Sequence, residues 1–121
     1  MPPNTFTIAE DDPDFRFFLE RMVSRSFPGA GVASFSNAEG ALQHILEAGT
    51  DILLTDHAMG VMTGTDLIRE LRQRGFTIPI IMISGSPHSE EESLAAGVSE
   101  FLSKDLAMDE IREHVRKWLP G

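Results

Sequence analysis

Short apolar runs and amphipathic runs of helical spacing alternate five times along this chain, and that alternation limits its fold more than any other feature. Thr5 to Ala9 reads as a first strand. Pro13 then suits the first turn of a helix, in which Phe15, Phe18, Leu19, Met22 and Val23 recur on one face. Pro28-Gly29 ends that helix. Gly31 to Ser36 reads as a second strand. Asn37 caps a helix running to about Ala48, with Ala41, Leu42, Ile45 and Leu46 directed inward. Asp51 to Thr55 is apolar on both faces, as a central parallel strand is. Thr65 to Arg74 forms a helix with Leu67, Ile68 and Leu71 on its core side, and Gly75 stops it. Ile78 to Ile83 is the most apolar strand. A helix over about His88 to Ala96, a short strand from Ser99 to Leu102, and a last helix from Leu106 to Trp118 complete the series. Ile111, Val115, Trp118 and Leu119 form the apolar side at this last helix.

Five strands alternating with five helices imply a doubly wound α/β fold with a parallel sheet covered on both faces. At 121 residues there is room for one domain, expected to span 1–121, and no internal repeat or linker divides it. With no cysteine, a disulfide framework and a thiolate zinc site are both excluded. Ten basic against nineteen acidic side chains give a net charge of -9, which disfavours nucleic acid as a direct partner. The N-terminal stretch lacks the basic and apolar regions of a signal peptide. The apolar run at Ile78 to Ile83 is interrupted by Pro79 and is too short to cross a bilayer. The expectation is a cytoplasmic protein without a membrane partner.

In an open parallel sheet, ligands bind beyond the carboxyl ends of the strands. The residues at those ends are Glu10, Asp11 and Asp12 after the first strand, Asp56 after the third, Ser84 after the fourth and Lys104 after the fifth. Crowded carboxylates repel one another, and a hard divalent cation relieves the repulsion. Oxygen ligands without histidine or cysteine point to Mg²⁺. One carboxylate can then attack a phosphoryl group and form an acyl phosphate, with Lys104 and Ser84 meeting the phosphoryl oxygens.

With these residues in place the sequence resembles the receiver domain of bacterial two-component response regulators. The resemblance rests on IAEDDP, on DILLTDHAM with the later Gly64, on IPIIMISG and on FLSK, in that order and over nearly the whole chain. It implies a flavodoxin-like (βα)5 fold with strand order 2-1-3-4-5. Asp56 becomes the phosphoacceptor. Asp11 and Glu10, with Asp56 and the backbone carbonyl of Ala58, become the Mg²⁺ ligands. Ser84 and Lys104 become the phosphate-binding pair, and Ser84 and Phe101 the switch that alters the face of helix four, strand five and helix five. The partners implied are a histidine kinase or histidine phosphotransferase, and a downstream protein target or covalently linked output domain outside this chain. No enzymatic activity is implied beyond self-phosphorylation from a phosphodonor and slow autodephosphorylation. Three positions depart from the pattern. Gly60 stands for the usual proline and should loosen the loop after Asp56. Asp105 stands for the proline after the lysine, so a trans link and an altered Lys104 position are expected. Phe101 lacks the hydroxyl of the commoner tyrosine.

Plainer roles compete at several positions. Asp12 suits a helix cap, Ser84 can open the Ser84-Gly85-Ser86-Pro87 turn, and Phe101 also fits simple packing. His57 should face away from its neighbour Asp56, because alternate strand residues point to opposite sides. His88 among Glu90, Glu91 and Glu92 reads as a solvated helix start, and Phe17 lies off the apolar stripe of its helix. Three rival functions are weighed. A Mg²⁺-dependent aspartyl phosphatase needs a second acid two residues after the nucleophile, where Ala58 stands. An FMN carrier needs a hydroxyl- and glycine-rich phosphate loop where Glu10-Asp11-Asp12 stands. A degenerate receiver serving only as a docking module is opposed by the full acidic set with Ser84 and Lys104.

Overall fold

A computed structural model describes residues 4–119. The elements run β1 (Thr5–Ala9), α1 (Pro13–Ser26), β2 (Gly31–Phe35), α2 (Ala38–Ala48), β3 (Ile52–Thr55), α3 (Gly64–Gln73), β4 (Ile80–Ser84), α4 (Glu90–Ala96), β5 (Glu100–Ser103) and α5 (Met108–Trp118). All strands are parallel, in the order β2-β1-β3-β4-β5. This is the expected doubly wound, flavodoxin-like sheet.

The central strands bury both faces because their side chains alternate between two cores. Phe6, Ile8, Ile52, Leu54, Ile81 and Ile83 join Leu19, Met22 and Val23 of α1 and Ile111 and Val115 of α5. Ala9, Leu53, Ile80 and Met82 join Ala41 and Ile45 of α2 and Leu67, Ile68 and Leu71 of α3. Each large side chain buried in these layers contributes about 1.5–3 kcal/mol. Side-chain caps then fix where the helices begin. Asp12 accepts from the Asp14 N–H at 3.0 Å, and Asn37 accepts from the Gly40 N–H at 2.7 Å. Thr63 and Asp66 cap α3 reciprocally, at 3.1 and 3.0 Å.

The structure moves several expected boundaries. β4 starts at Ile80, since Pro79 has no N–H for the ladder, although its carbonyl still accepts from Leu53 at 3.1 Å. The segment expected to open α4 is a single 3-10 turn, Pro87–Ser89, and the α-helix begins only at Glu90. α5 starts at Met108, where Glu110 accepts from the Ala107 N–H at 3.2 Å. Two side chains expected inside are outside. Leu46 is 41% exposed, a turn of about 100° from buried Ile45, and Trp118 is 37% exposed with its indole N–H donated to Glu100. Phe17 is exposed as expected. No described helix is long and apolar enough to cross a membrane.

Candidate functional site

The sheet ladder continues past the strand ends and sets the site residues side by side. Ala9 pairs with Thr55, so Glu10 and Asp56 leave adjacent strands at the same level. The Asp56 N–H donates to the Ala9 carbonyl at 2.9 Å and the Glu10 N–H to the Phe35 carbonyl at 3.0 Å. Ser84 pairs with Ser103, and the Lys104 N–H donates to the Ser84 carbonyl at 3.0 Å. The chain leaves β1 for α1 on one side of the sheet and β3 for α3 on the other, which is where such folds leave a crevice for ligands.

Carboxylate oxygens of Glu10, Asp11 and Asp56 lie within 4.8 Å of one another, with Glu10 and Asp56 buried and Asp11 exposed. Lys104 Nζ is 2.8 Å from Glu10 Oε1 and 3.4 Å from Asp56 Oδ2. The short approach to Glu10 runs off the hydrogen-bonding direction, so Oε1 is buried without a well-aligned donor. The second oxygen, Oε2, accepts from the Asp12 N–H at 3.2 Å. Burial pushes the Glu10 carboxyl up to about 7. The Lys104 contact opposes this, the Asp56 charge adds to it, and the Asp12 N–H opposes it more weakly. On Lys104 burial acts against the charge, but contact with Glu10 and the charges of Glu10 and Asp56 outweigh it and hold the ammonium above its usual range.

The donor set of the acid cluster suits a small hard cation. A buried carboxylate oxygen that lacks an aligned donor, beside two further carboxylates and no histidine or cysteine, is a donor set suited to Mg²⁺ or Ca²⁺. Among the described residues this is the one group of acids and histidines close enough to hold a metal, and His88 with Glu90, Glu91 and Glu92 makes no such group.

The loop after β3 owes its course to two glycines. A Cβ on Gly64 would fall 1.9 Å from the Asp56 carbonyl oxygen, so only glycine lets α3 start against the backbone of Asp56. Gly60 has φ +97°, which a proline with φ near −65° cannot adopt. The loop therefore takes a path closed to proline at that position. Ala58 is exposed two residues beyond Asp56, and His57 turns aside as expected, its Nδ1 lying 3.0 Å from Thr65 Oγ1.

Ser84 is buried at the end of β4 and engaged by the turn that follows. Its Oγ accepts from the Ser86 N–H at 3.0 Å and stands 3.4 Å from Ser89 Oγ, which itself donates to the Ser86 carbonyl at 2.9 Å. The hydroxyl of Ser84 thus serves the turn in this structure, as the turn-opening reading expects. Phe101 is part-buried against the core under α2 and α3. Described peptide bonds are trans throughout, Lys104-Asp105 included, and Lys104 still reaches the acids.

Sequence reasoning did not find three participants. Phe15, placed among core residues, lies with its ring 4.6 Å from Lys104 Nζ. Ser89 is buried against Ser84, which no periodicity reveals. Arg16 donates to the Glu10 carbonyl at 2.9 Å and ties the acid loop to α1.

Comparison with known proteins agrees with this geometry. The sequence model described as the response regulator receiver domain matches residues 6–116. The two-component response regulator PhoP of Pseudomonas aeruginosa is 30% identical over 114 residues, covering 93% of this chain and 50% of that protein. The chain thus spans half the length of that relative. The two-component response regulator ORR41 of Oryza sativa subsp. japonica is 30% identical over 108 residues, covering 86% of this chain and 85% of that protein. The response regulator TrrA of Thermotoga maritima, solved in complex with Mg(2+)-BeF, superposes with a TM-score of 0.87 at 24% identity, over 96% of this chain and 99% of that one.

Proposed function

This chain belongs to the response regulator receiver family, and we propose that it works as a phosphoacceptor switch of two-component signalling with Asp56 as the acceptor. One observation carries the reading. Asp56 follows the end of β3, between a cation, Lys104, and two further carboxylates, Glu10 and Asp11. A lone surface acid has no use for such surroundings, whereas an acid that receives a phosphoryl group needs charge neutralised on every side.

In the reaction, a carboxylate oxygen of Asp56 attacks phosphorus, and the bond from phosphorus to the donor breaks with its electron pair leaving on the donor. The donor is the imidazole of a phosphohistidine on a kinase or phosphotransferase, or a small acyl phosphate. Lys104 meets the incoming phosphoryl oxygens, and Ser84 donates its hydroxyl to them once it leaves the turn at Ser86 and Ser89. Glu10, Asp11, Asp56 and the carbonyl of Ala58 would hold Mg²⁺, which when bound supplies further neutralisation of phosphoryl charge. Phe101, on β5, then repacks and alters the α4-β5-α5 face. Such a switch needs two arrangements within a few kcal/mol of each other.

This reading makes residues 1–121 one receiver module of the cytoplasm, signalling by protein contact and not by direct binding of nucleic acid or membrane. The test is incubation with acetyl phosphate and Mg²⁺ followed by intact mass. A single phosphoryl adduct on wild type, absent from Asp56→Asn, is expected. An unmodified wild-type protein would leave a docking module without phosphorylation as the better description.

A further inference from the structure

The phosphoryl-transfer reading leaves the ring of Phe15 without a role, yet that ring is the third neighbour of the Lys104 ammonium. Nζ lies 4.6 Å from the ring centroid, well within the roughly 6 Å reach of a cation–π contact. The other two neighbours are the carboxylates of Glu10 and Asp56. Only 21% of the Lys104 side chain is exposed, so the contact is partly removed from water, where an aromatic face attracts a cation most strongly.

The ring is held in that place from two directions. Phe18, one helical turn on, stacks against it with centroids 5.1 Å apart and planes tilted by 24°. The first turn of α1 is itself tied to the acid loop, through the Asp12 cap and through Arg16 on the Glu10 carbonyl. Ring and acids are therefore tied to one another through α1, with the ammonium between them.

We propose that Phe15 is a positioning residue for phosphoryl transfer, its ring face holding the Lys104 ammonium at the acceptor Asp56. The proposal rests on the phosphoacceptor reading and assigns a residue within it. The chemistry explains why a ring serves better than another acid. A third carboxylate would compete with the phosphoryl oxygens for Lys104. A ring face is neutral and only weakly directional, so the ammonium can pass from Glu10 to the phosphoryl group without losing this partner. Plain packing of Phe15 against the core, by contrast, would be met equally by leucine.

The test uses the whole chain. Uptake of phosphate from acetyl phosphate with Mg²⁺ is timed by intact mass for wild type, Phe15→Leu and proteins carrying mono-, di- and trifluorophenylalanine at position 15. Fluorination keeps the ring's shape while draining its face of negative charge, so the series carries the test even where leucine disturbs the fold. Wild type is expected to be fastest, with the logarithm of the rate falling steadily with each fluorine. Phe15→Leu should be slower by about three- to tenfold. Mg²⁺ affinity should stay within about twofold, since no metal ligand changes. The ε-methylene protons of Lys104 should show a ring-current shift in wild type that Phe15→Leu abolishes. Wild-type rates across the fluorinated series, in a protein whose Asp56 does take up phosphate, would overturn the role of Phe15. No uptake by wild type would instead overturn the phosphoacceptor reading, and this proposal with it.

Discussion

Lys104 Nζ lies closer to Glu10 Oε1, at 2.8 Å, than to Asp56 Oδ2, at 3.4 Å, so the lysine bridges the two buried acids with its shorter contact on Glu10. A metal held by these acids would therefore compete with the ammonium for Glu10. Lys104→Ala is expected to bind Mg²⁺ at least as tightly as wild type, by titration followed through amide shifts, because a neighbouring positive charge is gone. The same variant should take up phosphate from acetyl phosphate at least tenfold more slowly, on the order expected when a group that stabilises transition-state charge is lost. Weaker Mg²⁺ binding by the variant would mean that Lys104 organises the acids instead of competing for them.

Ser84 must exchange partners before it can serve a phosphoryl group, because its hydroxyl is engaged by the Ser86 N–H and stands against Ser89 Oγ. Ser89→Ala removes one resting partner and leaves the other. The expected result is about two- to fivefold tighter apparent binding of a beryllofluoride phosphate mimic, the scale of one weak hydrogen bond shifting a two-state equilibrium. In a Ser84→Ala background the same change should do nothing. An equal gain in both backgrounds would show that Ser89 acts through the turn and not through Ser84.

Most of the fold was legible because each element declares itself by period. The two sheet faces separate cleanly along Ile80 to Ile83, where alternate residues enter opposite cores. The site backbone was legible too, since a parallel sheet sends Glu10, Asp56, Ser84 and Lys104 to one edge once their strands are recognised. What the sequence hid was side-chain choice between partners. Ser89 sits in a segment that reads as helix, and its burial depends on a 3-10 turn produced by Pro87 and the serine hydroxyls. Phe15 obeys the apolar period of α1, which says nothing about a charge resting on its ring. Leu46 and Trp118 mark the converse error, apolar residues near a buried stripe that the neighbouring elements do not cover.

Trp118 and His114 of α5 meet at Glu100 of β5. The carboxylate accepts from the Trp118 indole at 2.7 Å, and His114 Nδ1 is 2.5 Å and Lys117 Nζ 3.5 Å away. Burial alone would raise the Glu100 carboxyl. The Trp118 hydrogen bond, His114 and Lys117 together outweigh it and hold the group below its usual value of 4.5. A depressed carboxyl stabilises the fold at pH above its unfolded value, and that stability is lost as pH falls through the folded value. Wild type should therefore be more stable than Glu100→Gln at pH 7, with the gap closing as pH drops below about 4.5. Urea midpoints of both proteins at several pH values measure this. A gap that stays constant with pH would mean that the charge of Glu100 does not set it, since glutamine can keep the Trp118 hydrogen bond and only the ionisation differs.

The lifetime of the phosphorylated state turns on a water molecule. Hydrolysis of an acyl phosphate on Asp56 needs water in line with the breaking bond, on the side away from the carboxyl. In receivers, the side chains two residues after the acceptor and two after the hydroxyl residue flank that approach, and here they are Ala58 and Ser86. Both are exposed and small. The backbone of Ser86 is already committed, its N–H to Ser84 and its carbonyl to Ser89. Neither residue brings an amide or carboxylate long enough to orient the water, which slows hydrolysis. Neither is bulky enough to shield the bond, which speeds it. Orientation outweighs access in phosphoryl transfer, because a water held in line has already given up the freedom that the transition state demands. Slow hydrolysis is therefore expected of wild type. Ala58→Asn should hasten it by roughly three- to tenfold, the worth of one added hydrogen bond to that water. The measurement is decay of the phosphoprotein by intact mass after the phosphodonor is removed. If Ala58→Asn decays no faster than wild type, orientation at this residue does not limit the reaction, and access must.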